Sequence, residues 1–286
     1  MKVKIYQPYF KDENIPGLDP ACVHLDLRAQ TPEEALLREH TINMRCRELA
    51  LADGVDVWGM VSWKYRDKVR EITSIDFSVN NILQVMHSNP DHDVYFFDVY
   101  PRIMNVAFNV WEHGQWYHPH MLEICHELFP AIGLDVNLLY FPMGPNISCY
   151  ANYYMGNARF WDGWLDLIQR YLDALPTLST RVQELHNGPS EYGPFPDLWY
   201  FPFIHERLFS TYILKNYLNF KIHGIHLGTI GDCATMLSHV YDRNGQLDLD
   251  IANDFLECRK NIPQFKELGK PDLATDWFNN IILKGT

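Results

Sequence analysis

Apolar and polar residues alternate from Val3 to Phe10, the two-residue period of a half-buried strand, ahead of a turn-rich stretch at 11–20. Residues 22–27 read as a second short strand. Thr31-Pro32-Glu33-Glu34 combines a capping threonine, a proline at the first helical position and acids in the first turn. It predicts a helix running to about Ala52, closed by Asp53-Gly54. Residues 55–63 are apolar and β-branched, a third strand, and 74–88 places Ile75, Val79, Ile82, Leu83 and Met86 at helical spacing. Asn89-Pro90-Asp91 breaks that helix before the run Val94-Tyr95-Phe96-Phe97. Strand, helix, strand, helix, strand in this order implies a parallel sheet covered by helices.

The second half continues the pattern. Residues 119–132 predict a helix, 138–141 and 148–154 predict strands, and 160–175 is amphipathic with Trp161, Trp164, Leu165, Ile168 and Leu172 as its apolar stripe. Residues 177–199, rich in Pro, Gly, Ser and Asn, predict a mobile or irregular segment. Two short helices are expected around 233–241 and 249–259. The expected architecture is α/β, a mostly parallel central sheet flanked by helices over residues 1–222, with a helical C-terminal extension at 223–286 packed on the same domain.

Composition narrows the chemistry. At 47% hydrophobic and 14% aromatic, the 286 residues have ample material for one core and for stacking surfaces suited to flat rings or sugars. The net charge of −12 repels phosphate backbones, and no basic stripe offsets it, so nucleic acid is not an expected partner. The six cysteines are scattered without a paired motif, which predicts free thiols in a reducing compartment. There is no apolar window of about 20 residues for a membrane span, and the opening residues lack a secretion signal, so the expected location is cytoplasmic. The oligomeric state is left open.

Two polar islands stand out in aromatic surroundings: Asn152-Tyr153-Tyr154-Met155-Gly156-Asn157, and His205-Glu206-Arg207 inside Phe201–Thr211. Burying adjacent opposite charges costs free energy unless they have partners or a task, and two islands facing one cavity would make a site. Glu206 is expected near a helix N-terminus, where a carboxylate is stabilised and can take a proton from a hydroxyl. Asp98 ends an apolar run, where open α/β sheets bind ligands, although it also suits a simple turn. Lys64 follows Trp58–Trp63 and can neutralise a phosphate, or be an ordinary solvated lysine. The stretch 111–120 gathers Trp111, Glu112, His113, Trp116, His118 and His120 in what reads as a loop; it fits a polyhydroxylated ligand better than zinc, and ordinary packing is the other reading. No P-loop, no G-x-G-x-x-G after the first strand and no G-x-S-x-G is present.

In order and spacing these pieces resemble GT-A-type nucleotide-sugar glycosyltransferases encoded with bacterial or viral surface-glycan genes, over roughly residues 2–217. The opening strand Lys4-Ile5-Tyr6-Gln7-Pro8-Tyr9 matches one that contacts the nucleotide, and Tyr95–Tyr100 resembles a strand ending in Asp-x-Asp, with Tyr100 in place of the second acid. The resemblance implies a GT-A-like, Rossmann-like fold and transfer of a sugar, UDP-linked by preference, to a glycan hydroxyl. Tyr6, Gln7, Lys64, Asp98, Tyr100, His223 and His226 would face the nucleotide sugar. Trp111, Glu112, His118, Asn152, Tyr153 and Arg207 would face the acceptor, and Glu206 would be the general base of an inverting reaction. Mn²⁺ or Mg²⁺ at Asp98 is implied by the family, while the incomplete Asp-x-Asp motif equally implies a metal-independent route. A non-catalytic carbohydrate-binding protein on a degenerate transferase fold is the alternative, and a metal-dependent hydrolase using the His-rich stretch is a third.

Overall fold

The computed structural model describes residues 1–73, 77–99, 107, 109–141, 143, 147–190 and 198–226. These form a six-stranded sheet in the order β2-β1-β3-β5-β4-β6, with helices on both faces. The strands are β1 (Val3–Tyr9), β2 (Val23–Asp26), β3 (Val57–Met60), β4 (Val94–Asp98), β5 (Tyr154–Asn157) and β6 (Ile222–His226). β1 pairs parallel with β2 and β3, and β4 pairs parallel with β6. Only β5 runs the other way, antiparallel to β3 and to β4. The sheet is therefore mostly parallel, as the alternation of elements requires.

The helices are α1 (Pro32–Leu36), α2 (Glu39–Ala52), α3 (Tyr65–Thr73), α4 (Val79–Ser88), α5 (Val110–Tyr117), α6 (Met121–Ala131), α7 (Ala158–Ala174), α8 (Thr180–Asn187) and α9 (Phe201–Lys215). The larger core joins α2, α5, α6, α7 and α9 to one sheet face through Trp58, Trp111, Trp161, Trp164, Tyr154 and Phe209, all at most 1% exposed. The smaller core packs α3 and α4 on the other face, around Ile5, Tyr65, Val69, Ile82, Met86, Tyr95 and Phe97. Gly59 lets β3 lie against β5 at the sheet centre: a Cβ there would collide with the Tyr154 carbonyl, which is backbone and has nowhere to go.

Several expected elements are redrawn. The helix expected from 31 to 52 is two helices, because Arg38 takes φ 47° and ψ −122°, a conformation no helix contains. In place of the strand expected at 138–141, residues 138–139 end a 3₁₀ turn, Val136–Leu139, and 140–141 follow it as turn and bend, and the strand expected at 148–154 begins only at Tyr154. The stretch expected to be irregular contains α8, whose first turn is capped by Ser179; residues 191–197 lie outside the described ones. The helix α3 was not expected, although Tyr65 and Val69 lie one turn apart on its buried face. The sheet continues to His226, four residues past the expected boundary at 222; the expected extension beyond it, and Tyr100, lie outside the described residues.

Candidate functional site

Because β5 alone is reversed, its N-terminal end emerges on the same sheet edge as the C-terminal ends of β1 and β3. Ala151, Asn152 and Tyr153 are thereby brought beside Pro8 and Phe10 at the end of β1, and Met60, Ser62 and Trp63 at the end of β3. The break at Arg38 turns the start of α2 inward over the same edge, α3 supplies Lys68, and α9 supplies Glu206. Together they enclose a cavity of about 360 Å³, large enough for a small-molecule ligand. It lies beyond the carboxyl ends of the parallel strands, where open α/β sheets hold ligands. Both polar islands of the sequence, Asn152-Tyr153 and Glu206, line this one cavity.

Its charged groups are two acids and two bases: Glu39 and Glu206, Arg38 and Lys68. Both acids and Lys68 are half-buried, whereas Arg38 is exposed. Burial pushes the Glu206 carboxyl above the usual carboxylate range; Arg207 and Lys68 pull it back, and the negative charge of Glu39 adds to the push. Glu39 is likewise raised by burial, opposed by its own backbone N–H, by Arg38, by a hydrogen bond from the Asn152 side chain and by Lys68. The Lys68 ammonium also lies 5.6 Å from the centre of the Tyr153 ring. Phe10 and Trp63 supply apolar surface. A wall that pairs acids of raised proton affinity with an amide and aromatic rings suits a neutral, hydroxyl-rich ligand.

Glu206 is not at the helix N-terminus. It is the sixth residue of α9, past the turn where free N–H groups and the helix dipole act, so the cavity sets its chemistry. Its neighbour Arg207 is 5% exposed and donates through Nε to the Val110 carbonyl at 3.0 Å and through Nη1 to the Phe203 carbonyl at 2.9 Å. Arg207 ties α9 to α5 and does not line the cavity.

Most of the stretch 111–120 is helix α5, and the residues expected at the acceptor are turned into the protein. Trp111 is fully buried, donating from Nε1 to the Thr211 hydroxyl at 2.8 Å. His118 is 1% exposed, in contact with the Ser190 carbonyl through Nδ1 at 3.2 Å. Glu112 lies half-buried on the same helix. None of the three reaches the cavity.

The residues expected at the nucleotide are dispersed. Tyr6 is 1% exposed in the larger core, its hydroxyl pushed up to about 12 by burial. Gln7, fully buried, is a strut: Nε2 donates to the Ser62 carbonyl at 3.0 Å and Oε1 accepts from the Asp19 N–H at 2.6 Å. Lys64 is exposed, 4.8 Å above the Trp63 ring; Lys68, one helical turn on, is the lysine that lines the cavity. Asp98 ends β4 on the same sheet edge but is fully buried and close enough to Cys149 to raise its thiol. His223 sits on the edge strand β6, ring centres 5.0 Å from His92 and 6.0 Å from Tyr95, and burial lowers its basicity. His226 stands opposite Asp98 in the β4–β6 register. Among the described residues no group of three or more His, Cys, Asp and Glu side chains is placed to hold a metal ion.

Sequence reasoning missed Glu39 and Lys68. The signal for the first was present: Glu39-His40 repeats, in reverse order, the His205-Glu206 pair, and the two histidines meet behind the cavity with ring centres 6.4 Å apart. Among the described residues no helix is long and apolar enough to cross a membrane.

No protein-family model matches this sequence, and no curated protein matches it. Among solved structures, the apo structure of WbbM, a bifunctional glycosyltransferase, overlays with a TM-score of 0.41 at 14% identity, over 80% of this chain. The chain spans 45% of the length of that protein. The overlay is too loose to carry chemistry from one chain to the other.

Proposed function

We propose that the protein is a glycosyltransferase that moves a sugar from a nucleoside-diphosphate sugar to a hydroxyl of a glycan acceptor, with Glu206 as the general base. The observation that carries this reading is the meeting of Glu206, Asn152 and Tyr153 in one cavity at the carboxyl edge of the sheet. There Glu206 accepts the proton of the acceptor hydroxyl as its oxygen attacks the anomeric carbon of the donor, and the nucleoside diphosphate leaves. Burial and the neighbouring charge of Glu39 raise the carboxylate's affinity for that proton, which improves it as a base near neutral pH. A base positioned for direct attack fits inversion at the anomeric carbon. Asn152 and Tyr153 would hold the acceptor, and Lys68 the charge that develops opposite the base. The resemblance of the opening strand and of Tyr95–Tyr100 to the GT-A pattern supports a nucleotide sugar, UDP-linked by preference, as donor.

The test is a thermal-shift screen of the purified protein across nucleoside diphosphates and nucleotide sugars, each with and without Mn²⁺. A rise in melting temperature with one nucleotide class supports the reading, and dependence of that rise on Mn²⁺ would reveal a metal site. No shift with any of them sinks it. A second reading is favoured by one observation: Asp98, Tyr6 and Gln7 are buried and do not line the cavity. It holds that the cavity binds glycan without turning over a donor. Glycan binding in the absence of any nucleotide-induced shift would select it.

A further inference from the structure

Glu39 and Glu206 line the same cavity from different elements, the first residue of α2 and the sixth of α9. Two half-buried carboxylates lining one cavity repel each other unless a proton or a cation intervenes. Lys68 acts on both, Arg38 acts on Glu39 from the helix break, and Arg207 acts on Glu206 from its own helix. Among the described residues, Cys149 feels the charge of Glu206 and Tyr154 that of Glu39. One further group points to a ligand. Asn152 is 9% exposed and lines the cavity; its side chain lies near enough to Glu39 to favour the charged carboxylate, while its Oδ1 is buried with no hydrogen-bond partner among the described residues. A carboxylate only accepts, so Nδ2 is the atom that serves Glu39, and Oδ1 is left to accept from something else.

We propose that Glu39 and Glu206 work as a two-carboxylate pair sharing one proton, so that one group donates a hydrogen bond to a ligand hydroxyl while the other accepts one, and that Asn152 holds Glu39 in this role. The ligand that satisfies the arrangement is a polyol or sugar bearing at least two hydroxyls, one for the pair and one for Asn152 Oδ1. Glu39 is then a positioning residue for the reaction proposed above, and the inference rests on Glu206 being its base. Proton balance is simple: the proton taken from the acceptor joins the pair, and the pair returns to its singly protonated state by releasing one proton to solvent.

The experiment is a ¹³C NMR titration of protein labelled at its glutamate side-chain carboxyls, with signals assigned by Glu39→Gln and Glu206→Gln. The Glu39→Gln change keeps one oxygen that can accept from Asn152 while it removes the charge and the titratable proton, and its size is nearly the same, so the fold is expected to persist. In the wild-type protein the two signals should each titrate in two steps with common midpoints. In Glu39→Gln the Glu206 midpoint should shift downward, and in Glu206→Gln the Glu39 midpoint should shift downward in turn. Where transfer is measurable, Glu39→Gln should move the acid limb of the kcat/KM profile to lower pH. Single-step, independent titration of the two carboxyls in the wild-type protein overturns the pairing. No donor is needed, so failure of the transferase reading would appear separately, as coupled titration in a protein that binds no nucleotide.

Discussion

At the scale of single residues, burial and neighbours decide which polar groups are available for chemistry. Glu206 and Arg207 are adjacent, yet one lines a cavity and the other is spent on the carbonyls of Val110 and Phe203. Trp111 belongs with Arg207 as part of the scaffold. Trp111→Phe removes the bond to Thr211 and some buried volume and should cost about 1–3 kcal/mol of stability, read as a lowered denaturation midpoint, while ligand binding in the cavity is retained. A loss of binding without a loss of stability would return Trp111 to the site. The sequence allowed Glu206, Asn152 and Tyr153 to be singled out because polar residues in aromatic runs require a reason. It could not tell Lys64 from Lys68, because that choice depends on which face of a short, unrecognised helix meets the sheet edge.

At the scale of elements, the site exists because two elements depart from regular progression. β5 is reversed, which returns Asn152 and Tyr153 to the carboxyl edge, and the first long helix is broken at Arg38, which turns Glu39 inward. Neither was legible: periodicity reports which residues face a core, and it is silent on strand direction and on a single strained dihedral pair. The helix at 160–175 was legible for the opposite reason, since Trp161, Trp164, Leu165 and Ile168 repeat at 3.6-residue spacing and are all buried. Arg38, with φ 47°, sits where glycine is at ease. Relief of that strain in Arg38→Gly, less the extra entropy glycine loses on folding, should leave a net stabilisation of about 1 kcal/mol. The same change removes a positive charge that lowers Glu39, so the Glu39 carboxyl should titrate at higher pH. A destabilised Arg38→Gly protein would show that the side chain contributes more than its backbone costs.

At the scale of the whole molecule, buried ionisable groups tie stability to pH. Burial lowers His40, His118 and His186 to about 4, and His113 and His205 to about 3. In the unfolded chain each regains a pKa of about 6.5. The unfolded state therefore binds more protons below that value, and stability should fall as pH drops from about 6.5 towards the folded-state pKa values. Glu39 and Glu206, raised in the fold, act in the opposite direction: their contribution is present at low pH and lost as pH rises through their folded midpoints. Chemical denaturation across this range should show the histidine slope, and His205→Phe should flatten it by about one proton; an unchanged slope would mean that His205 is not charged on unfolding. The account as a whole rests on Glu206 as the base of a sugar transfer. The most direct measurement is mass-spectrometric detection of sugar transferred from a panel of nucleotide sugars to glycan acceptors, by the wild-type protein and by Glu206→Gln. The account predicts transfer by the wild-type protein and a loss of about 100- to 10,000-fold in the variant with its melting temperature retained. Transfer undiminished in Glu206→Gln, or absent from the wild-type protein with every donor, would contradict it.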